Sequence, residues 1–328
     1  MRVTFIIVSF LLSACFFTTQ KKSELFKYSQ THMGAPFTIY VYSDNEDEVK
    51  IAVAAAYKKI KNLDSKLSDY KDDSEINLLS NSASHGCFVP VSEDLWKVMN
   101  YSQQIALLTD GAFDVSVGPY VVMWRMARYQ KKMPDKDKLK TLSTRVGYKK
   151  ITLDKKDKAV KFQISGMKLD FGGIAKGYAA DMALKELVSR GYPYVLVDAG
   201  GDMVATTQPQ GRPWPVRISS LPPNSKRMFI KNQAIATSGD RSRFLKMDGV
   251  VYSHIVNPLT GIGVTGRYQV TVIAEEGMKA DTLASTFTVM GPKKGMKLVE
   301  TMENTEVMYF QLHTGLTFKS SGWSVGCD

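Results

Sequence analysis

Apolar residues recur at alternating steps of four and three through Val49, Val53, Ala56, Ile60, Leu63 and Leu67. That spacing lays one stripe along a helix over residues 44–67. Ser92 is placed to cap a second helix, with Glu93 and Asp94 in its first turn, running to about Leu108 and stopping before Gly111. A third helix is expected from about Gly173 to Arg190, ended by Gly191 and Pro193. A fourth runs from about Asp281 to Met290, ahead of Gly291-Pro292, and a fifth continues to about Met302. The β-branched and aromatic run 38–42 predicts a strand, and the short apolar run 194–197 before Asp198-Ala199-Gly200-Gly201 predicts a buried one. Strands and helices mix without a strict βαβα rhythm, which favours α+β over a doubly wound sheet.

Composition is that of an ordinary globular chain: 328 residues, 44% hydrophobic and 23% charged. A disordered polypeptide, a collagen-like fibre and a polytopic membrane protein are excluded. The formal charge is +11, and much of the excess falls within residues 125–161. Only Tyr129 and Tyr148 could stack on bases there, so the stretch reads as a solvated basic face and nucleic acid is not expected as a partner.

The first residues change the picture of where the chain works. Arg2 precedes an apolar run from Val3 to Leu12, too short to span a bilayer, which ends in Leu12-Ser13-Ala14-Cys15. This resembles a bacterial lipobox, with cleavage after residue 14 and acylation of Cys15. The expected layout is a lipoprotein signal at 1–14, a lipidated tether at 15–29 and one globular domain at 30–328. The implied location is the bacterial cell envelope, facing the periplasm. Phe16 follows the cysteine where an Asp would signal inner-membrane retention, so the choice of membrane stays open. Cys87 and Cys327 are the remaining cysteines, and an exported compartment permits them to pair. Two cysteines without a Cys/His cluster argue against structural zinc.

Several runs could carry chemistry. In Lys168-Leu169-Asp170-Phe171-Gly172-Gly173-Ile174-Ala175-Lys176-Gly177, a carboxylate precedes a Gly-Gly turn that opens a helix with a lysine in its first turn. Free N–H groups at such a helix start favour a phosphate, although a plain loop-to-helix turn reads as well. His254 stands in Tyr252-Ser253-His254-Ile255-Val256-Asn257-Pro258, where a lone histidine is more often structural than catalytic. Asp281 reads first as an N-cap. With Ser285 four residues on, it also places a carboxylate and a hydroxyl on one helix side, a pair suited to magnesium. Gly111-Ala112-Phe113-Asp114 reads as a connection, Ala234 to Asp240 as a strand ending in an ordinary turn, and Tyr70 could stack on a ligand ring or cover core.

Taken in order, eight runs resemble the ApbE family of flavin transferases: HMGAPF, LSDYKDDSEIN, GAFDVSVGP, KLDFGGIAKGYAAD, VDAGGD, AIATSGD, YSHIVNPLTG and ADTLAS. The resemblance spans roughly residues 30–325. It implies an α+β, T-fold-like ApbE domain with mixed sheets and packed helices. It implies magnesium-dependent cleavage of FAD, with FMN passed to a Ser or Thr hydroxyl of a target protein and AMP released. By position, Asp281 and Ser285 would bind magnesium with the Gly173 carbonyl. Met33, Tyr70, Ala112, Phe113, Asp114, Asp170, Lys176 and Ile255 would line the FAD site, and His254 would be the reactive histidine. The acceptor would be a membrane-bound redox subunit. Two other outcomes stay open: an FAD pyrophosphatase with water as acceptor, and a lipid-anchored flavin binder without chemistry. This chain departs from the family at Ser285, where Thr is common, at Asn257 and Leu259, and at Arg241, where an aromatic is common.

Overall fold

The computed structural model describes residues 23–82, 86–218, 227–241 and 243–323. The signal segment, Cys15 and Cys327 therefore lie outside the described residues, while Cys87 is exposed. In chain order the elements are β1 (Glu24–His32), β2 (Ala35–Ser43), α1 (Glu46–Leu67), α2 (Glu75–Ser82), β3 (Val89–Pro90), α3 (Glu93–Leu108), α4 (Gly118–Gln130) and α5 (Lys136–Ser143). There follow β4 (Ile151–Asp154), β5 (Ala159–Phe162), α6 (Ala175–Ser189), β6 (Val195–Ala199), β7 (Met203–Ala205), β8 (Trp214–Val216), β9 (Met228–Ile230) and β10 (Gln233–Gly239). The chain continues through β11 (Phe244–Met247), β12 (Val250–Ser253), β13 (Tyr268–Ala274), α7 (Gly277–Val299), β14 (Glu306–Gln311) and β15 (Thr317–Lys319).

Eight strands form one antiparallel sheet in the order β1-β2-β6-β7-β10-β13-β14-β15. Its central strands are covered on both faces. On β6, Val195, Val197 and Ala199 face the main core under α1, α6 and α7, while Leu196 points to the other side. Strand β10 does the same with Ala234 and Ala236 against Ile235. The second face is closed by the β8–β9 hairpin through Trp214, Val216, Met228 and Ile230. Burial on both faces is why these strands read as continuous apolar runs instead of alternating ones. A third cluster sits apart, where Tyr120, Met123, Trp124 and Ala127 of α4 pack on Leu245 and Val256.

The expected α+β architecture is present, and the early helices start where their caps predict. The Asn45 side chain accepts from the amides of Asp47 and Glu48, and Ser92 Oγ accepts from Leu95 N at 3.4 Å. Two expectations need correction. Residues 24–29, placed in the tether, belong to β1, which pairs with β2 along its whole length. Most of its side chains are exposed, with only Phe26 and Tyr28 half-buried against the main core. The expected break between the fourth and fifth helices is present, since α7 is interrupted at the non-helical Gly291 (φ 71°), just before Pro292. Because α7 begins at Gly277, Asp281 lies a full turn inside the helix and is buried; it is not an N-cap. The cap is supplied from α6, whose Asp181 carboxylate accepts from Gly277 N at 2.7 Å and Met278 N at 2.8 Å.

Candidate active site

The starts of α6 and α7 meet almost backbone to backbone. A Cβ added to Gly177 would come within 2.1 Å of the Gly277 carbonyl oxygen and 2.8 Å of Asp281 Cβ, so only glycine permits the crossing. The contact aims the Asp281 carboxylate at the α6 backbone, where it accepts from Gly177 N at 3.0 Å. Lys176, in the first turn of α6, ion-pairs with Asp202 and lies 3.9 Å from Asp281. Asp202 also accepts from Thr237 N at 3.2 Å, tying β10 to the same centre. Ser285, one turn along α7 from Asp281, exchanges a hydrogen bond with Ser238 at 2.9 Å. It crowds Gly173 so closely that a Cβ there would lie 2.7 Å from its Oγ. Phe113 packs on the same spot.

Burial pushes Asp281 up to about 7, against the pull of Lys176. Burial also works to lower Lys176, but Asp202 and Asp281 outweigh it and hold the ammonium more firmly charged than usual. The centre thus holds two carboxylates around one lysine, with a hydroxyl and a close-packed glycine turn at its edge.

A second cluster joins it through the 170–176 turn. Arg125 of α4 bridges Asp69 at 2.5 Å and Asp170 at 3.3 Å, and its guanidinium lies 4.1 Å from the centroid of the Tyr70 ring. One ring face of Tyr70 is covered in this way, yet the residue stays 73% exposed, leaving a face open for a planar partner. Asp170 accepts from Gly172 N at 2.8 Å, and burial with Asp69 nearby pushes it up to about 6.

His254 closes β12. Its backbone N and its ring Nδ1 both meet the Arg243 carbonyl, at 3.0 and 3.1 Å. A carbonyl only accepts, so Nδ1 carries the proton and Nε2 keeps a free lone pair. Burial first, then Arg128 and Arg243, lower the imidazole to about 4, so it is neutral near pH 7. Ile255 sits beside it, held by a bond from its N–H to Ser253 Oγ at 3.0 Å. Asn257 shapes the following turn, where its Oδ1 accepts from Leu259 N at 2.9 Å, a role an Asp would fill equally.

Two expected site residues have other work. Asp114 accepts from Ser116 N, Ser116 Oγ and Tyr148 N at 2.8, 2.7 and 2.6 Å, which organises the loop and leaves it little capacity for a ligand. Met33 occupies the β1–β2 turn at φ 49° and packs on the main core. Ala112 and Phe113 are buried in the loop that Asp114 shapes. Asp202 and Arg125 were not singled out from the sequence. Asp202 ends the Asp198-Ala199-Gly200-Gly201 run, which marks a turn at a strand end; nothing local marks Arg125.

A helix-covered antiparallel sheet with a lysine set between buried carboxylates at paired helix starts defines the class of α+β protein to which this chain is to be compared. Residues 33–309 match the ApbE family, and the chain belongs to it. An FAD:protein FMN transferase of Haemophilus influenzae is 27% identical over 331 residues, covering 94% of this chain and 92% of that protein. One of Vibrio cholerae is 29% identical over 314 residues, covering 93% and 92%. Among solved structures, an ApbE protein of Thermotoga maritima has a TM-score of 0.80 at 28% identity, covering 91% of this chain and 97% of its own. The flavin transferase ApbE of Vibrio cholerae has a TM-score of 0.78 at 26% identity, covering 92% and 98%.

Proposed function

We propose that this protein is a flavin transferase that takes FMN from FAD, passes it to a Ser or Thr hydroxyl of an acceptor protein and releases AMP. The observation that carries the reading is the Lys176–Asp202–Asp281 centre at the glycine-lined start of α6, with a neutral His254 in electrostatic reach of Lys176. The names of the relatives support it.

The chain's own residues suit each part of the transfer. The open face of Tyr70 receives a planar ring. Lys176 and the positive dipole end of α6 neutralise the pyrophosphate, whose negative charge grows on the leaving oxygen. The acceptor hydroxyl forms a bond to the FMN-side phosphorus, the bond from that phosphorus to the bridging oxygen breaks, and AMP departs with the electron pair. His254 Nε2 takes the hydroxyl proton. Positioning and charge neutralisation dominate such a reaction, and a base adds about 100- to 10,000-fold.

The donor set also fits magnesium. Asp281, Ser285 and the Gly173 carbonyl offer hard oxygen ligands, and the raised pKa of Asp281 marks a buried carboxylate whose charge Lys176 only partly meets. Among the described residues no group of three His, Cys, Asp or Glu could hold a metal, which suits an ion that completes its shell with substrate phosphates and water. Bound there, it would supply further neutralisation of the leaving phosphate.

Incubation with FAD and magnesium should release AMP, and a Thr-bearing acceptor should become covalently flavinylated. AMP release that is unchanged by the acceptor, with no covalent flavin, would make the protein a pyrophosphatase. No AMP at all would make it a binder.

We further propose that Cys15 is acylated and anchors the protein to the bacterial envelope facing the periplasm, with a membrane redox subunit as acceptor. A Cys15→Ser variant should leave the membrane fraction or persist as precursor. Normal processing and membrane association in that variant would refute the anchor.

A further inference from the structure

Most cations around the proposed site have partners. Arg125 is held by Asp69 and Asp170, and Lys176 by Asp202 and Asp281. Arg128 and Arg243 differ. Neither guanidinium has an ion pair among the described residues, and the Nε of Arg128 is buried without a hydrogen-bond acceptor. A guanidinium cannot shed its proton to relieve this, and a buried donor without an acceptor is unfavourable.

Both arginines are brought to His254 by packing. Helix α4 seats Trp124 against the β11–β12 hairpin, with its ring 5.6 Å from that of Tyr252 and its Nε1 donating to the Gly261 carbonyl at 2.8 Å. Arg128 lies four residues beyond Trp124, one turn along the same helix face. From the hairpin side, the Arg243 carbonyl holds His254 through both its backbone N and Nδ1. Arg128, Arg243 and Lys176 all act to lower the His254 ring, and Arg243 acts to lower Arg128.

We propose that Arg128 and Arg243 form a phosphate-binding subsite beside His254 that holds the phosphate of the departing adenylate. Two guanidinium forks acting on one ring suit the oxygens of a phosphate monoester, each fork able to bind two at once. A monoester dianion answers both charges, whereas a carboxylate answers one. The assignment of the phosphate to the adenylate rests on the FAD reading above. Holding the leaving phosphate there places negative charge beside His254 as the imidazole takes up its proton, which favours the protonated ring.

Binding of AMP, adenosine and inorganic phosphate to the full-length protein tests this without turnover, so it is independent of whether FAD is cleaved. Wild type should bind AMP at least about 30-fold more tightly than adenosine. Arg128→Gln and Arg243→Gln should each weaken AMP at least about 10-fold and leave adenosine unchanged; inorganic phosphate should compete with AMP in wild type only. Arg128→Lys, which keeps the charge but not the fork, should fall between. Histidine NMR gives a second readout. AMP should raise the His254 pKa in wild type and move it less in Arg128→Gln, whose free protein should already titrate higher because one repelling cation is gone. The groups facing His254 are Arg128 from α4, Arg243 from the hairpin and Lys176 from α6. Equal AMP affinity in all variants, or AMP no tighter than adenosine, overturns the subsite. An acidic peptide that binds where AMP does not would also overturn it. Arg243 is exposed on its hairpin, so its Gln variant decides the matter should Arg128→Gln fail to fold.

Discussion

Lys176 and Arg128 both act on the His254 ring, yet they live under opposite electrostatic conditions. Lys176 sits in a nest of carboxylates whose negative charge exceeds its own, which raises its pKa and leaves Asp281 only partly answered. Arg128 has burial and two neighbouring cations against it, Arg243 and Arg125. One region has spare negative charge and the other spare positive charge. Spare negative charge suits a hard cation, and spare positive charge suits an anionic ligand. A metal-assisted reaction on a pyrophosphate needs both on opposite sides of the bond being broken.

Three experiments break or sharpen that contrast. The largest effect is expected from Lys176→Met, which strands Asp202 and Asp281 as buried carboxylates without their cation. Urea unfolding should show a loss of about 3–5 kcal/mol, and magnesium should recover part of it. A change under about 1 kcal/mol would mean that the carboxylates are met elsewhere and the nest is not balanced by Lys176.

Next in size is His254→Ala, which should slow FMN transfer at least about 100-fold while FAD affinity, read by flavin fluorescence, stays near wild type. The pH profile carries the comparison further. Because the ring is lowered to about 4 by burial and by the cations around it, the neutral base persists on the acid side well below its ordinary value. The acid limb of kcat/KM should therefore fall near pH 4 in wild type, and the variant should lack it. Any destabilisation tied to this group follows the same sign: it is absent above about pH 6.5 and grows as pH drops through about 4. An acid limb near pH 6.5 would mean that the cations do not act on the ring as placed.

The smallest effect is expected from Asp281→Asn. The amide keeps the shape and an oxygen for Gly177 N, so the fold should hold, while the magnesium needed for half-maximal AMP release should rise about tenfold or more. An unchanged magnesium curve would remove Asp281 from the metal site. The substitution to Ala is the poorer test, because Asp281 is buried and its loss would leave the Gly177 amide without a partner.

Helix α1 was legible from its apolar stripe, and α3 from its Ser cap and acidic first turn, all of them local signals. Helix α4 was not, although Pro119 at its start and Tyr120, Met123, Trp124 and Ala127 along one face mark it in retrospect. It has no side-chain cap, and its second half sat inside a stretch read for its charge. That reading held for α5, none of whose residues is buried, and failed for Arg125, which is enclosed by Asp69, Asp170 and Tyr70. Charge counted along a chain is blind to the partners that folding brings.

The motif order by itself determined the family, and the Asp281/Ser285 spacing placed both side chains on one helix side, since that is a property of 3.6 residues per turn. Tertiary structure alone decided the depth of Asp281. That depth depends on Asp181 of α6 capping α7 four residues earlier and on a glycine crossing between residues 104 positions apart. It also decided which cations are answered. Coulomb energies follow distance through space, and the carboxylates that meet Arg125 and Lys176 arrive from distant loops and strands, while none arrives, among the described residues, for Arg128 and Arg243.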